Sequence, residues 1–434
     1  MSAPHILYVV DHFPTLSQTF IENQMRTLVE LGFRVTVLSF GQGAPKPMHD
    51  TTEWLLDRIT LLQVPLPESA GRSVIPPEFW RAGARLPPAF RLLQSLGRYR
   101  SRVVLGAEAL LPKLEADAIL AHFGPNGLYA AGLRSLGTLK GPITTFFHGY
   151  DFSSFVQANG PRVYDLLFRQ GDRFIANSDY SRRRLVSTGC PEKRLSVLPV
   201  GLLPENFTPP IPPKTRSDET IRFLSVGRLV EKKGHAFAIA AMGILLRDGI
   251  DAHLTLVGDG PDRKSLDALA ERYGLGERIV FAGARCQAAV QALMRESDVF
   301  LLASIEASDG DVEGQGLVLQ EAQACGLPVI ATRHNGFPES LQENTTGLLV
   351  PERDAAALAE AMKSLALDTS ARARMAAAGP GFVAATFDQR LLTRRLVALL
   401  GLEVTVPTAA PSGRDSAPAP AAALCPAAGT GAGR

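Results

Sequence analysis

Two hydrophobic patterns take turns along this chain. Short, mostly apolar runs include His5 to Asp11, Phe33 to Phe40, Ala118 to Ala121, Ile143 to Phe147, Ile221 to Val226 and Leu254 to Val257. Runs of that length, bounded by turn residues, predict buried strands. Between them lie segments with helical spacing, such as Phe20, Met25, Leu28 and Leu31, followed by Gly32 as a C-terminal cap. Strands alternating with helices predict parallel sheets in an α/β fold. The first strand–helix unit reads as Rossmann-like. It lacks G-x-G-x-x-G after the strand, which argues against a dinucleotide cofactor there.

The chain has 434 residues, more than one ordinary domain needs. Pro204, Pro209, Pro210, Pro212 and Pro213 cluster where a linker is expected. The predicted organisation is therefore an N-terminal domain over 1–203, a linker over 204–219 and a C-terminal domain over 220–384. A terminal amphipathic helix within 385–403 follows, then an Ala-, Pro- and Gly-rich tail over 404–434 that reads as disordered. Cys190, Cys286, Cys325 and Cys425 show no metal spacing, which fits free thiols in a reducing cytosol. No signal peptide and no bilayer-length apolar run is evident, so the expected location is cytoplasmic, with any membrane contact peripheral.

Candidate chemistry concentrates in three strand-to-helix junctions of the second half. In Glu313-Gly-Gln-Gly-Leu-Val-Leu-Gln-Glu321, two carboxylates flank a Gly-rich loop that runs into a helix. The N–H groups of Gly314, Gln315, Gly316 and Leu317 fall at the helix N-terminus, where unpaired donors and the dipole favour an anion. Glu313 and Glu321 are acceptors and suit hydroxyl groups of a sugar or ribose. Upstream, a strand ends at Gly227 and is followed by Arg228 and Lys233, a fork and a point charge that suit a diphosphate. The third junction is Val257-Gly258-Asp-Gly-Pro261, a strand ending in a Gly-rich turn. Taken singly, each has an ordinary alternative as a solvated loop or helix face.

Together, in this order and spacing, they resemble the donor half of a family 4 retaining glycosyltransferase of the GT-B fold. Further matching segments are Val280-Phe-Ala-Gly283, the run Glu321-Ala-x-Ala-x-Gly-x-Pro-Val329, Gly336 before Phe-Pro-Glu, and Thr346-Gly347. The likeness covers roughly residues 1 to 400 and departs at Gln315, where the family often carries Phe. It implies two Rossmann-like, doubly wound parallel-sheet domains facing across a cleft. It also implies a nucleotide-diphosphate sugar as donor substrate, with no cofactor and no metal. Gly227, Gly258, Gly283, Arg285, Gly314, Gln315, Gly316, Leu317 and Glu321 would bind the donor, Glu321 at the ribose. Arg228, Lys233, Glu313 and His148 would be the catalytic set, Glu313 orienting sugar hydroxyls. Retention without an enzyme nucleophile implies front-face attack. Asp309-Gly-Asp311 spells a metal-binding pattern of a different transferase fold and is read as chance in an acidic loop.

The N-terminal half carries Phe13-Pro-Thr-Leu-Ser-Gln-Thr-Phe-Ile21, which resembles colanic-acid and amylovoran exopolysaccharide glycosyltransferases. That comparison puts Ser17, Gln18 and Thr19 near the acceptor, although Ser17 also reads as a helix N-cap. His148-Gly149-Tyr-Asp151 ends a buried strand, the place where open α/β sheets put ligands. In similar enzymes that His lies beside the transferred sugar, and His122, after Ala118 to Ala121, is a weaker cleft candidate. Asn177, Ser178 and Ser181 form a further polar junction. Charge is nearly balanced, 45 Lys+Arg against 43 Asp+Glu, but the basic excess lies in the first 200 residues. Arg72 to Arg102 and Arg182-Arg183-Arg184 could meet an anionic membrane or a lipid-diphosphate acceptor, or could be solvated faces. No nucleic-acid module is evident. The expected function is hexose transfer from a UDP- or GDP-sugar to a lipid-linked or oligosaccharide acceptor in exopolysaccharide or capsule biosynthesis. The alternative is a nucleotide-sugar epimerase on the same two-domain fold.

Overall fold

The computed structural model describes residues 3–15, 18–42, 50–64, 96, 100, 103–210 and 220–404. Most of the basic stretch 72–102, the Pro-rich residues 211–219 and the tail from 405 onward lie outside the described residues. The chain divides into two compact units.

The first unit holds a seven-stranded sheet. Its strands are β1 (His5–Phe13), β2 (Arg34–Gln42), β3 (Thr60–Gln63), β4 (Ala118–His122), β5 (Ile143–Phe147), β6 (Arg173–Ala176) and β7 (Leu195–Val197). The order is β3-β2-β1-β4-β5-β6-β7, and every pairing is parallel. In β1, the residues from His5 to Val10 are all buried, as a central parallel strand requires. The strand runs two residues beyond Asp11, carrying the pairing with β2 on to Phe13 opposite Gln42.

The second unit holds a six-stranded sheet of β8 (Ile221–Val226), β9 (Ala252–Val257), β10 (Ile279–Gly283), β11 (Val299–Leu302), β12 (Val329–Thr332) and β13 (Gly347–Val350). Its order is β10-β9-β8-β11-β12-β13, again all parallel. Both sheets thus run 3-2-1-4-5-6 from one edge, the doubly wound arrangement in which strand order reverses beside the first strand. The carboxyl ends of β1 and β4, and of β8 and β11, flank those reversal points.

The unit boundary lies at Gly201–Leu202, ahead of the expected linker. Leu202 bridges to Asp388, Pro204–Asn206 forms a 3-10 turn, and Phe207 is buried in the second core. Those residues are folded rather than linking, because Leu202 and Phe207 bury apolar surface. The chain returns to the first unit at Gln389. The helix Gln389–Leu400 buries Leu392, Leu396, Val397 and Leu400 in the core shared with Ile21, Met25 and Leu28 of the helix Thr19–Glu30. Four such side chains contribute roughly 1.5–3 kcal/mol each. No helix among the described residues is long and apolar enough to cross a membrane.

Candidate active site

In the second unit the site begins where β8 ends. Gly227 has no side chain, so the stem of Lys233 crosses the strand end; a Cβ there would sit 3.0 Å from Lys233 Cε. Gly258 closes the neighbouring strand at φ +137°, and a Cβ on it would lie 2.0 Å from the Gly227 carbonyl oxygen. Two glycines therefore let two loop backbones touch, and the Asp259 carbonyl accepts the Leu229 N–H at 2.9 Å. From this platform Lys233 Nζ reaches Glu313 Oε2 at 2.8 Å, and Lys232 Nζ reaches Asp311 Oδ2 at 2.8 Å. All four groups are substantially shielded from solvent. Burial alone would raise the Glu313 pKa, but Lys233 and Lys232 outweigh it and hold the carboxyl down to about 2. Asp311 is thus an ion-pair partner, and Asp309 Oδ1 accepts the Asp311 N–H at 2.9 Å.

The loop after Glu313 is tied down by the turn that follows β12. Asn335 Nδ2 donates to the Glu313 carbonyl at 2.7 Å, the Gly336 N–H to the Gly314 carbonyl at 3.2 Å, and Ser340 Oγ to the Gln315 carbonyl at 2.8 Å. The Glu313 N–H donates to His334 Nε2 at 3.1 Å, while His334 Nδ1 pairs with Glu352 Oε1 at 2.7 Å. Asn335 adopts φ +45° to make its contact. Gly316, at φ +69°, caps the helix Leu317–Ala324. Gly314, Gln315, Gly316 and Leu317 therefore do lie at a helix N-terminus. Glu321 sits in the second turn, and burial raises its carboxyl to about 7 against the pull of Lys233. Arg228 is exposed beyond Gly227. Arg285 is exposed after β10, which ends at Gly283, and its Nη1 donates to the Ala284 carbonyl at 3.3 Å.

In the first unit, beside the reversal point, the adjacent strands β4 and β5 bring together His122, at the end of β4, and His148, just after β5. His122 Nδ1 lies 3.1 Å from His148 Nε2. Phe20 and Phe123 pack on the His148 ring with centroids 4.9 and 4.6 Å away. Phe123 holds φ +73°, a costly conformation for a non-glycine residue, of order 1–3 kcal/mol. Burial pushes His148 down to about 3 and lowers His122 as well. Both rings are therefore neutral near pH 7.

Asp151 is wholly buried but is spent on backbone: it accepts from the N–H groups of Gly149 at 2.8 Å, His148 at 3.0 Å and Gly124 at 3.1 Å. Burial raises its carboxyl to about 6, with those donors pulling the other way. Asn177 Nδ2 donates to the His148 carbonyl at 3.0 Å, and Ser178 caps the helix Asp179–Ser187 through the Ser181 N–H at 3.1 Å. A small pocket beside His148 is lined by Phe20, Gln24, His122, Asn177, Gln389 and Leu392. Gln18 and Thr19 are half-buried at the start of the helix, Gln18 in the N-cap position without a side-chain cap bond. Ser17 lies outside the described residues.

Three contributors went unread in the sequence: Gln24, His334 and Glu352. Gln24 carried a signal, a polar residue on the apolar face of an amphipathic helix, buried here with Glu22 and Asn23. His334 and Glu352 each follow a strand, but nothing local says that they meet. Arg182 pairs with Asp179 and Glu192 at 3.1 and 2.8 Å, a solvated arrangement. Among the described residues Cys190, Cys286 and Cys325 form no disulfide, and Cys425 lies outside the described residues.

Two family patterns match in tandem. Residues 17–205 match Glycosyltransferase Family 4, and residues 208–382 match Glycosyl transferases group 1. WcaL of Escherichia coli K12, a glycosyltransferase named for colanic acid biosynthesis, is 34% identical over 404 residues, covering 89% of this chain and 97% of its own. The chain belongs to glycosyltransferase family 4. The amylovoran biosynthesis glycosyltransferase AmsK of Erwinia amylovora is 31% identical over 411 residues, with the same coverage of 89% and 97%. The crystal structure of Anabaena Alr3699/HepE in complex with UDP-glucose has a TM-score of 0.68 at 21% identity, covering 92% of this chain and 99% of that one. That likeness gives the fold as GT-B, with two parallel-sheet α/β domains. The protein is a glycosyltransferase, and nothing in these matches supports an epimerase.

Proposed function

We propose that this glycosyltransferase moves a hexose from a UDP- or GDP-sugar to a lipid-linked or oligosaccharide acceptor during exopolysaccharide assembly, with retention and without a metal. The observation that carries the donor assignment is the Lys233–Glu313 pair beside a helix N-terminus, with Glu321 one to two turns further on. WcaL and AmsK, named for two exopolysaccharides, support the process, and the UDP-glucose bound to HepE supports a nucleotide-sugar donor.

In this reading the diphosphate takes the place of Glu313 as the partner of Lys233. Arg228 and the N–H groups at the start of Leu317–Ala324 share its charge, which grows as the nucleoside diphosphate leaves. Glu313, released from Lys233, accepts from sugar hydroxyls, and Glu321 accepts from the ribose. The first unit supplies uncharged groups around His148 for sugar hydroxyls, with Ser17, Gln18 and Thr19 on the acceptor side. In a front-face attack without an enzyme nucleophile, the leaving phosphate takes the acceptor proton. Peripheral contact with an anionic membrane would bring a lipid-linked acceptor within reach.

The test is a thermal-shift panel of UDP- and GDP-sugars, repeated with excess EDTA. A true donor at 100 times its Kd stabilises the folded state by about 2.7 kcal/mol. We expect one sugar nucleotide to raise Tm clearly, and transfer from it to survive EDTA. No shift with any member of either series would refute the donor assignment; loss of transfer in EDTA that Mn²⁺ restores would refute metal independence and return attention to Asp309 and Asp311.

A further inference from the structure

Behind His148 runs a buried chain of hydrogen bonds whose direction can be worked out atom by atom. Tyr8 is fully buried, and its Oη donates to Gln24 Oε1 at 2.8 Å. The same Oε1 lies 3.0 Å from His122 Nε2. An amide oxygen only accepts, so the proton of that contact sits on His122 Nε2. A neutral imidazole carries one N–H, which leaves His122 Nδ1 as an acceptor. His122 Nδ1 is 3.1 Å from His148 Nε2, so His148 must donate through Nε2 and keep a bare Nδ1. Stacking prevents the middle ring from turning: Tyr8 and Phe146 lie parallel to His122, within 5° and 4°, at 5.7 and 4.4 Å. We propose that Gln24 and His122 are positioning residues that lock His148 as its neutral Nε2–H tautomer, so that Nδ1 accepts a hydrogen bond from a substrate sugar hydroxyl. The lock gives the first unit a way to select a hydroxyl over an ether or an acceptor-only group, since only a donor can satisfy Nδ1. The inference rests on the glycosyl-transfer reading for the identity of the ligand, but the tautomer itself does not.

The experiment is nitrogen NMR of the full-length protein with labelled histidine, between about pH 6 and 8, combined with kinetics. His122 and His148 are expected as neutral rings, each protonated on Nε2. His122→Phe keeps the stack between Tyr8 and Phe146 but removes the acceptor. It should let His148 mix its tautomers and lower kcat about tenfold, the worth of one hydrogen bond, while nucleoside diphosphate affinity stays unchanged. Gln24→Met, which removes the oxygen that sets the direction, should give the same signature and serves if His122→Phe does not fold. A His148 protonated on Nδ1, a charged ring at pH 7, or variants with unaltered tautomer and kcat would overturn the proposal. A correct tautomer in a protein that transfers sugar from no nucleotide donor would instead remove the functional reading and leave the lock standing.

Discussion

The two units share a sheet order and differ in almost everything placed on it. Each puts its polar groups at the carboxyl ends of strands at or next to the order reversal, and each holds a non-glycine residue at positive φ near them, Phe123 after β4 and Asn335 after β12. Around Phe123 the groups are aromatic or neutral, and the buried carboxylate of Asp151 is consumed by backbone N–H groups. Around Asn335 lie two lysine–carboxylate pairs. The location of a site thus follows from topology, while its chemistry follows from which side chains burial leaves charged. A neutral, aromatic site suits hydroxyls. A site with paired charges suits a ligand that brings its own negative charge and can displace one member of a pair.

The contrast breaks most sharply at Lys233. Lys233→Ala should lower turnover by roughly two orders of magnitude or more, as for the loss of a main transition-state donor, with Arg228→Ala similar. Steady-state rates near wild type in both variants would mean that the second unit is not where leaving-group charge is met.

The next effect is on stability. The Glu321 carboxyl, at about 7 when folded, lies above its ordinary 4.5. Between those values the folded state binds the proton more tightly than the unfolded chain, so stability from this group is full below pH 4.5 and is lost as pH rises through 7. Glu321→Gln removes that loss, on the order of 3 kcal/mol at most, so its Tm advantage over wild type should grow from pH 5 to 8 while affinity for the nucleoside diphosphate falls. Glu313, at about 2, has the opposite sign: its stability is present above pH 4.5 and is lost as pH falls through 2. Glu313→Gln should therefore destabilise the free protein at neutral pH by leaving Lys233 unpartnered. Denaturation across pH for the two variants decides whether the carboxylates differ as stated.

A smaller effect separates their roles in turnover. Glu313→Gln should cost about tenfold in kcat with product affinity intact or raised, because it removes an acceptor near the developing charge and a competitor for Lys233. Isothermal titration with nucleoside diphosphate, set beside single-turnover rates, reads both; loss of product binding in Glu313→Gln alone would reverse the placement of the donor along this segment. The smallest expected effect is none: with His148 held to about 3, its ionisation should contribute no limb to the kcat profile between pH 5 and 8. A limb in that range that disappears in His148→Gln would show that the first unit is not the neutral partner in the comparison.

Much of this architecture could be read along the chain. Parallel strands buried on both faces are largely apolar, so Ile6 to Val10 and Phe223 to Val226 announce themselves, and a strand leaving a core must stop at a residue such as Gly227 or Gly258 that lets another backbone approach. The pair Glu313 and Glu321 was legible for the same local reason, since a Gly-rich loop opening a helix exposes donors. The reach of Lys233 to Glu313 was not, because 80 residues separate them and only the β8–β11 reversal brings the loops together. Pro204 to Phe207 misled as the start of a linker, since a proline there signals a break but not whether the apolar residue after it finds a core. The line of Tyr8, Gln24, His122 and His148 draws on two strands, a helix and a loop, and its polarity depends on which atom faces which at about 3 Å. Composition and periodicity determine where a chain turns and what it buries; the direction of a hydrogen bond between buried groups is set by packing, which only the tertiary structure decides.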